Sequence, residues 1–329
     1  MIIRKKRRDG RRQRRRTLVL GCLAFAFGAL VLPSLLPPYS GMDLDTHQPR
    51  PLPSNTRRAS ATLYTDASNP CQEVVLLTLL ASWSETDPQY PMLILHSTRD
   101  LPVKVYAFMK EWNKLLHTES RSGRKDTGLH PNQEQAQLPR ILPRRVKDYS
   151  SWWPMFSNRK QWRECAAQFS LWQQDDFDQI AFYDSNHVFY SSDETAFQVN
   201  GKDAEIYAIP SAATNPASFA TAQLFQSNRL VLRPSQLLFQ HLHIQYKHRI
   251  WIMPLWDFLF GSTKNREEGF FNAVFRNHWK PLNPDMKSNA EPFNVANVDT
   301  PSAHSKAATI ARGWIDKLGL RNELNQCLK

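Results

Sequence analysis

Residues 162–186 read WRECAAQFSLWQQDDFDQIAFYDSN, and two periods meet inside them. Through Lys160–Trp172 the apolar positions Trp162, Cys165, Ala166, Phe169 and Trp172 recur every three or four residues, the stripe of an amphipathic helix. From Gln179 to Asn186 the pattern becomes a short apolar strand closed by Asp184, Ser185 and Asn186. A helix feeding such a strand is a unit of a parallel α/β sheet, and these sheets bind ligands at the carboxyl ends of their strands. Asp184 is therefore a candidate ligand-facing residue, with an ordinary turn aspartate as the plain alternative.

The same alternation extends outward. Upstream, EVVLLTLLA from Glu73 reads as a continuous, buried strand. YPMLILHSTRD (90–100) then reads as a helix, LPVKVYAFM (101–109) as a strand running into helical EWNKLLH, 118–137 as a polar loop, and LPRILPRRV (138–146) as a short strand. Downstream, EIYAIPS (205–211) and RLVLRPS (229–235) are strands, the second feeding a helix from Ser235, a natural N-cap. EEGFFNAVFRNHW from Glu267 is another amphipathic helix. His241 and His243 lie on different sides of the Ser235 helix, which argues against a metal cluster in HLHIQYKH (241–248).

The charge belongs to one end. Of 42 Lys and Arg, ten lie in residues 1–16 beside one acid, Asp9, leaving 32 bases against 29 acids. Nucleic-acid binders carry their basic stripe on folded elements, so no nucleic-acid partner is expected. Next come twenty uncharged residues, Thr17–Leu36, long enough for the roughly 30 Å of a bilayer core. The positive flank stays cytoplasmic, which places the remainder on the lumenal side. Residues 37–70, rich in Pro, Ser, Thr and charge, read as a stem, and 71–329 as the lumenal domain. Cys22 lies in the apolar span and Cys165 on a helix's apolar face; a Cys71–Cys327 bridge and free thiols are both compatible with the sequence.

Four blocks in order resemble glycosyltransferase family 8, the glycogenin-like nucleotide-sugar transferases. VLLTLLAS (75–82) is similar to its opening strand, and the helix leading into QIAFYDSN to the stretch ending in an Asp-x-Asp motif. FQSNRLVLRPS (225–235) is similar to its F-N-S-G-V-M-V-L-R-P-S, and EEGFFNAVF (267–275) to its D-Q-G-F-L-N-x-x-F. The resemblance implies a GT-A fold: a mixed, mostly parallel sheet flanked by helices, here behind one N-terminal transmembrane helix. It also implies a UDP-sugar donor, Mn²⁺ or Mg²⁺, and retaining transfer to a glycan or protein acceptor by a single-pass protein of the Golgi or ER membrane.

Carried over position by position, the resemblance puts Asp184 and Asn186 at the metal, with His304 as a third ligand, and Leu79, Ala81, Ser82, Gln168, Asp184 and Ser185 at the donor. Glu268 and Asn228 fall beside sugar and acceptor. Asn186 stands where the family has its second Asp, Gln168 where it has Lys, and Glu267–Glu268 where it has Asp-Gln. A diphosphate leaving group needs its charge neutralised, and hard oxygen ligands suit the divalent ion that does so. The degenerate motif keeps a second reading open, a catalytically inactive protein of this fold that binds a nucleotide-sugar or a partner transferase.

Overall fold

The computed structural model describes residues 52, 56–65, 69–86, 88–122, 140–147, 167–197, 204–210, 225–246, 270–272, 274–275, 278–282, 289–298 and 305–328. Its first element overturns one expectation. Arg58–Tyr64 (β1), inside the expected stem, is a strand in the middle of a seven-stranded sheet. Its sequence, RASATLY, is built on small residues; Ala59, Ser60, Ala61 and Thr62 are all fully buried. Small side chains let helices pack closely on both faces, and they also hide the strand from a hydrophobicity pattern. The folded domain therefore starts before residue 58, and the stem boundary near 70 is corrected.

Pro70–Ser84 (α1) is a helix, where the apolar run from Glu73 suggests a strand. Asn69 caps it, its side chain accepting the Cys71 N–H, and Pro70 opens the first turn. Every residue from Val74 to Trp83 is buried, so the helix has no polar face to reveal its period. Short apolar runs of this kind do not separate buried strand from buried helix.

That exchange of helix and strand shifts the next two elements. Met92–His96 (β2) is a buried strand, not a helix, and pairs in parallel with β1, Ser60 opposite Met92. Val103–Ser122 (α2) is one continuous helix where LPVKVYAFM suggests a strand. Val105 and Met109 are buried four residues apart while Val103 is 85% exposed, a helical pattern on a β-branched sequence. Ile141–Arg145 (β3) is the expected short strand.

Gln179–Tyr183 (β4), Ile206–Pro210 (β6) and Phe225–Leu232 (β7) form as the sequence suggests, with His187–Phe189 (β5), Trp279–Pro281 (β8) and Ala290–Pro292 (β9) besides. The Ser235-capped helix spans 236–246 (α3), its cap accepting the Leu238 N–H. Lys306–Lys317 (α4) and Arg321–Cys327 (α5) close the chain. The main sheet has the order β3-β2-β1-β4-β7-β6-β8, and β5 pairs with β9 in a separate two-stranded sheet. Strands β1–β4, β6 and β8 run one way and β7 runs against them. The sheet is thus mixed and mostly parallel, flanked by helices.

Alternate residues of each central strand serve opposite cores. Ala181 and Tyr183 face α1, α4 and α5, whereas Ile180 and Phe182 face Phe169, Trp172, Leu238, Leu242, Phe270 and Phe271. Of the helix expected over 160–172, residues 167–168 and a 3₁₀ turn at Phe169–Gln173 fall within the described residues. Trp172 stacks on Phe275 at 5.8 Å. Cys71 and Cys327 form a disulfide that ties the start of α1 to the end of α5. Among the described residues no helix is long and apolar enough to cross a membrane; the expected span, 17–36, and Cys22 and Cys165 lie outside them.

Candidate functional site

The order of the sheet reverses between β1 and β4: β1 leads back to β2 and β3 on one side, while β4 opens the other. The crevice beyond the carboxyl ends of such a strand pair is where α/β sheets take ligands. On β4 this edge carries Asp184, Ser185 and Asn186, which turn the chain into β5.

Asp184 is held from several sides. Its N–H donates to the Asn228 carbonyl on β7 at 2.9 Å, and its own carbonyl accepts the His187 N–H at 3.2 Å. The same carbonyl lies 2.9 Å from His187 Nδ1. A carbonyl can only accept, so this contact fixes the tautomer with the proton on Nδ1. The Asp184 carboxylate accepts the Ser185 N–H at 2.8 Å, as a turn aspartate does. No cationic side chain pairs with it among the described residues, and desolvation raises its pKa, opposed in part by the Ser185 bond.

Beside it stand two amides. Asn186 gives its carbonyl to the Phe293 N–H at 2.8 Å, so the loop is pinned to the strand β9 region. The side-chain oxygens of Asn186 and Asn228 are buried and have no hydrogen-bond partner among the described residues. A buried, unsatisfied amide oxygen costs about 1–3 kcal/mol, which a cation or a donor group of a ligand would relieve. Behind the loop lies a polar network. Buried Arg229 donates to Asn289 Oδ1 at 2.6 Å, and Asn289 Nδ2 donates to the Tyr183 hydroxyl and the Ser192 carbonyl, each at 3.2 Å. The Arg229 guanidinium sits 5.5 Å from the centre of the Tyr183 ring.

His187 is a site residue that the sequence pattern does not announce. Its ring is buried, and burial first, then the Arg229 charge, lowers its pKa to about 4 against the opposing bond to Asp184. It is a neutral strut beneath the Asp184 turn. A lone His at the head of a three-residue strand carries no motif, so no signal could have found it.

The structure brings Asp184, Ser185, Asn186 and Asn228 together, and it does not bring Leu79, Ala81 and Ser82 to them. Those three lie in the last turns of α1. Leu79 and Ala81 are buried in the apolar core or its backbone packing, and the Ser82 hydroxyl donates to the Leu79 carbonyl and accepts the Phe189 N–H. From Pro70 to Ala81 the helix has already run roughly 17 Å back from the edge at about 1.5 Å per residue. The chain leaves β1 at that edge through Thr65 instead, whose carbonyl accepts the Ser97 hydroxyl. Gln168 is buried in the turn preceding β4, its Oε1 without a partner, and no hydrogen bond joins it to the Asp184 loop among the described residues. Glu267, Glu268 and His304 lie outside the described residues. Among the described residues no three His, Cys, Asp or Glu side chains converge as a metal cluster.

No family model matches the chain, and no curated protein does. Among solved structures it is similar to the glycosyltransferase GlyE of Streptococcus pneumoniae, at 12% identity over 68% of this chain and 45% of that one, with a TM-score of 0.40. The chain thus spans less than half of GlyE. It is similar to the galactosyltransferase LgtC in complex with donor and acceptor sugar analogs, at 11% identity over 80% and 95% of the two chains, with a TM-score of 0.46. The bifunctional glycosyltransferase WbbM gives 12%, 71% and 40%, with a TM-score of 0.40. The structural neighbours are glycosyltransferases.

Proposed function

We propose that this chain is a glycosyltransferase of the secretory pathway, taking a UDP-sugar as donor and a glycan or protein as acceptor. One observation carries the reading: at the switch point of a mixed α/β sheet, a desolvated carboxylate, Asp184, stands beside two buried amide oxygens, and among the described residues the first has no cationic partner and the others no donors. The blocks at β4 and β7 that resemble glycosyltransferase family 8 meet there, since the Asn228 carbonyl holds the Asp184 N–H. The block at 267–275 enters its core through Phe270 and Phe271, with Asn272 bonded to both backbone groups of Phe225. The block at 75–82 lies in α1 and supplies no support.

These residues fit a hard divalent ion, Mn²⁺ or Mg²⁺, because every donor is an oxygen. Asp184, Asn186 and Asn228 would hold it, and His304 remains a proposed further ligand. Bound there, the ion would supply positive charge for the diphosphate of the leaving UDP. The chain's own part is to hold Asp184 in place through His187 and Asn228, and to keep its carboxylate poorly solvated so that a cation is worth more there. Glu268 is placed beside the sugar by the resemblance alone. The basic tail and apolar span suggest a single-pass protein of the Golgi or ER membrane, and the Cys71–Cys327 disulfide suits an oxidising lumen.

A second reading, a non-catalytic protein of this fold that binds a nucleotide-sugar or a partner transferase, is favoured by Asn186, where a second carboxylate is expected. Titrating UDP into the full chain with and without Mn²⁺ tests both. Restoring the charge with Asn186→Asp adds roughly 1–3 kcal/mol after desolvation offsets most of the Coulomb gain, about 5- to 150-fold in affinity. Asp184→Ala should abolish metal-dependent binding. If neither variant changes UDP binding, the loop is not the site. If UDP binds but UDP-sugar is never turned over, with or without Asn186→Asp, the non-catalytic reading stands.

A further inference from the structure

Along β5 from the Asp184 loop, the chain passes from Asn186 to Tyr190, four residues or roughly 13 Å of strand. There the last turn of α1, Tyr190 and one stripe of α4 line an open, groove-like cavity of about 450 Å³. The stripe is Lys306, Ile310, Gly313, Trp314 and Lys317, while Ala307, Ala308, Ala311 and Ile315 pack the other side of α4 into the core. The volume lies in the range of small-molecule sites, about 300–1,000 Å³.

Gly313 is exposed on α4. Its φ is not left-handed, and a Cβ built on it would meet nothing within 4 Å. A glycine inside a helix costs about 0.5–1 kcal/mol relative to alanine. Here neither backbone conformation nor packing calls for it, and what it preserves is open space beside Trp314. The walls combine ring faces with charge. Lys317 Nζ lies 4.2 Å from the centre of the Trp314 ring and is paired with Glu85 at 2.6 Å. Lys306 Nζ lies 4.6 Å from the centre of the Tyr190 ring, and no carboxylate pairs with it among the described residues. Tyr190 is fixed in turn by its hydroxyl, which donates to Glu291 at 2.6 Å.

A pyranose has this shape of chemistry, with C–H groups on its faces and hydroxyls at its rim, and aromatic rings beside polar groups suit such amphipathic ligands. The ammonium of Lys306, exposed at the rim over the Tyr190 ring and without a paired carboxylate among the described residues, can take an anion that a neutral sugar does not bring. We propose that this cavity binds a sugar residue bearing a carboxylate, as part of a glycan. The inference stands independently of the transferase reading, because none of its residues belongs to the Asp184 loop.

The test is calorimetric titration of the full chain with a tetrasaccharide of alternating glucuronate and N-acetylglucosamine, against the neutral N-acetylglucosamine tetramer and against acetate. The acidic tetrasaccharide binds at least tenfold more tightly than the neutral one. Lys306→Gln brings the two together, and Gly313→Leu, which fills the cavity, costs at least tenfold. Leucine is the better helix former, so an unchanged or raised thermal midpoint shows that Gly313→Leu is folded; should it be lowered, Gly313→Gln provides the same blockade with a solvated tip. Equal affinity for both tetrasaccharides, binding untouched by either substitution, displacement by acetate at equal concentration, or no binding below about 1 mM would each overturn the proposal.

Discussion

The disulfide between Cys71 and Cys327 makes a quantitative claim about this fold. It joins positions 256 residues apart, from the first turn of the buried helix α1 to the last residue of α5. In the chain-entropy account, closing a loop of that length removes enough freedom from the unfolded chain to be worth about 5.5 kcal/mol at 25 °C, with measured bridges usually giving about 2–4. The native side points the same way. α5 has only seven residues, too few to persist alone, and it is held to the domain by buried Leu324, by an ion pair between Glu323 and Lys104, and by the bridge. Cys71→Ser with Cys327→Ser should therefore cost roughly 2–5 kcal/mol, read as a lowered urea midpoint with a steeper slope, since the unbridged chain unfolds to a more expanded state. Reductant should bring the wild type to the variant's midpoint and leave the variant where it was. A thiol titration in denaturant without reductant should find two of the four cysteines free. Four free thiols, or a wild-type midpoint indifferent to reductant, would refute the reasoning.

Other consequences can be checked on the same material. Deleting residues 1–50 should leave a cooperatively folding domain, whereas deleting 1–65 removes β1 from between β2 and β4 and should abolish cooperative unfolding; a folded 66–329 fragment would contradict the central strand. Leu79→Ala should destabilise by about 2–5 kcal/mol, as buried leucines do, and leave the UDP affinity of the folded protein unchanged, because Leu79 is core and not a donor contact. His187 titrates near 6.5 unfolded and about 4 folded, so the unfolded chain binds the extra proton between those values. Stability from this ring is complete above pH 6.5 and lost as pH falls towards 4, roughly 3 kcal/mol at 1.36 kcal/mol per pH unit. In chelator, His187→Asn, which keeps a donor to the Asp184 carbonyl, should flatten that part of the pH–stability curve, and an unchanged curve would count against it.

What the sequence discloses depends on whether a segment's burial leaves a period. β4, β6 and β7 are legible because each is a short, bulky apolar run between polar or proline punctuation, and Ser235 marks α3 by its cap chemistry. β1 and α1 invert those signals. The central strand is Ala-Ser-Ala-Thr, small because it is covered on both faces, and the helix is apolar all round because sheet, β5, α4 and α5 surround it. The Asn69-Pro70 pair was the available sign, an N-cap followed by a first-turn proline, and it outweighs apolar continuity as a guide. The error propagates into the site by geometry. Once the opening strand is placed at 75–82, the donor edge must be sought at Leu79, Ala81 and Ser82, whereas the chain leaves the edge of β1 at Thr65, fourteen residues before Leu79. Asp184 escapes the error because it is defined by its own strand: whatever precedes β4, a carboxylate that follows Tyr183 in a sheet with β1 beside it stands at the crevice. Asn228 reaches it across the fold through the 2.9 Å bond to its N–H, and His187, three residues on, holds its carbonyl at 2.9 Å. On the proposed reading, complementarity to a cation would be a property of the assembled loop rather than of the D-S-N tripeptide, and Asn186 would not need to supply a second carboxylate if Asn228 supplied an oxygen.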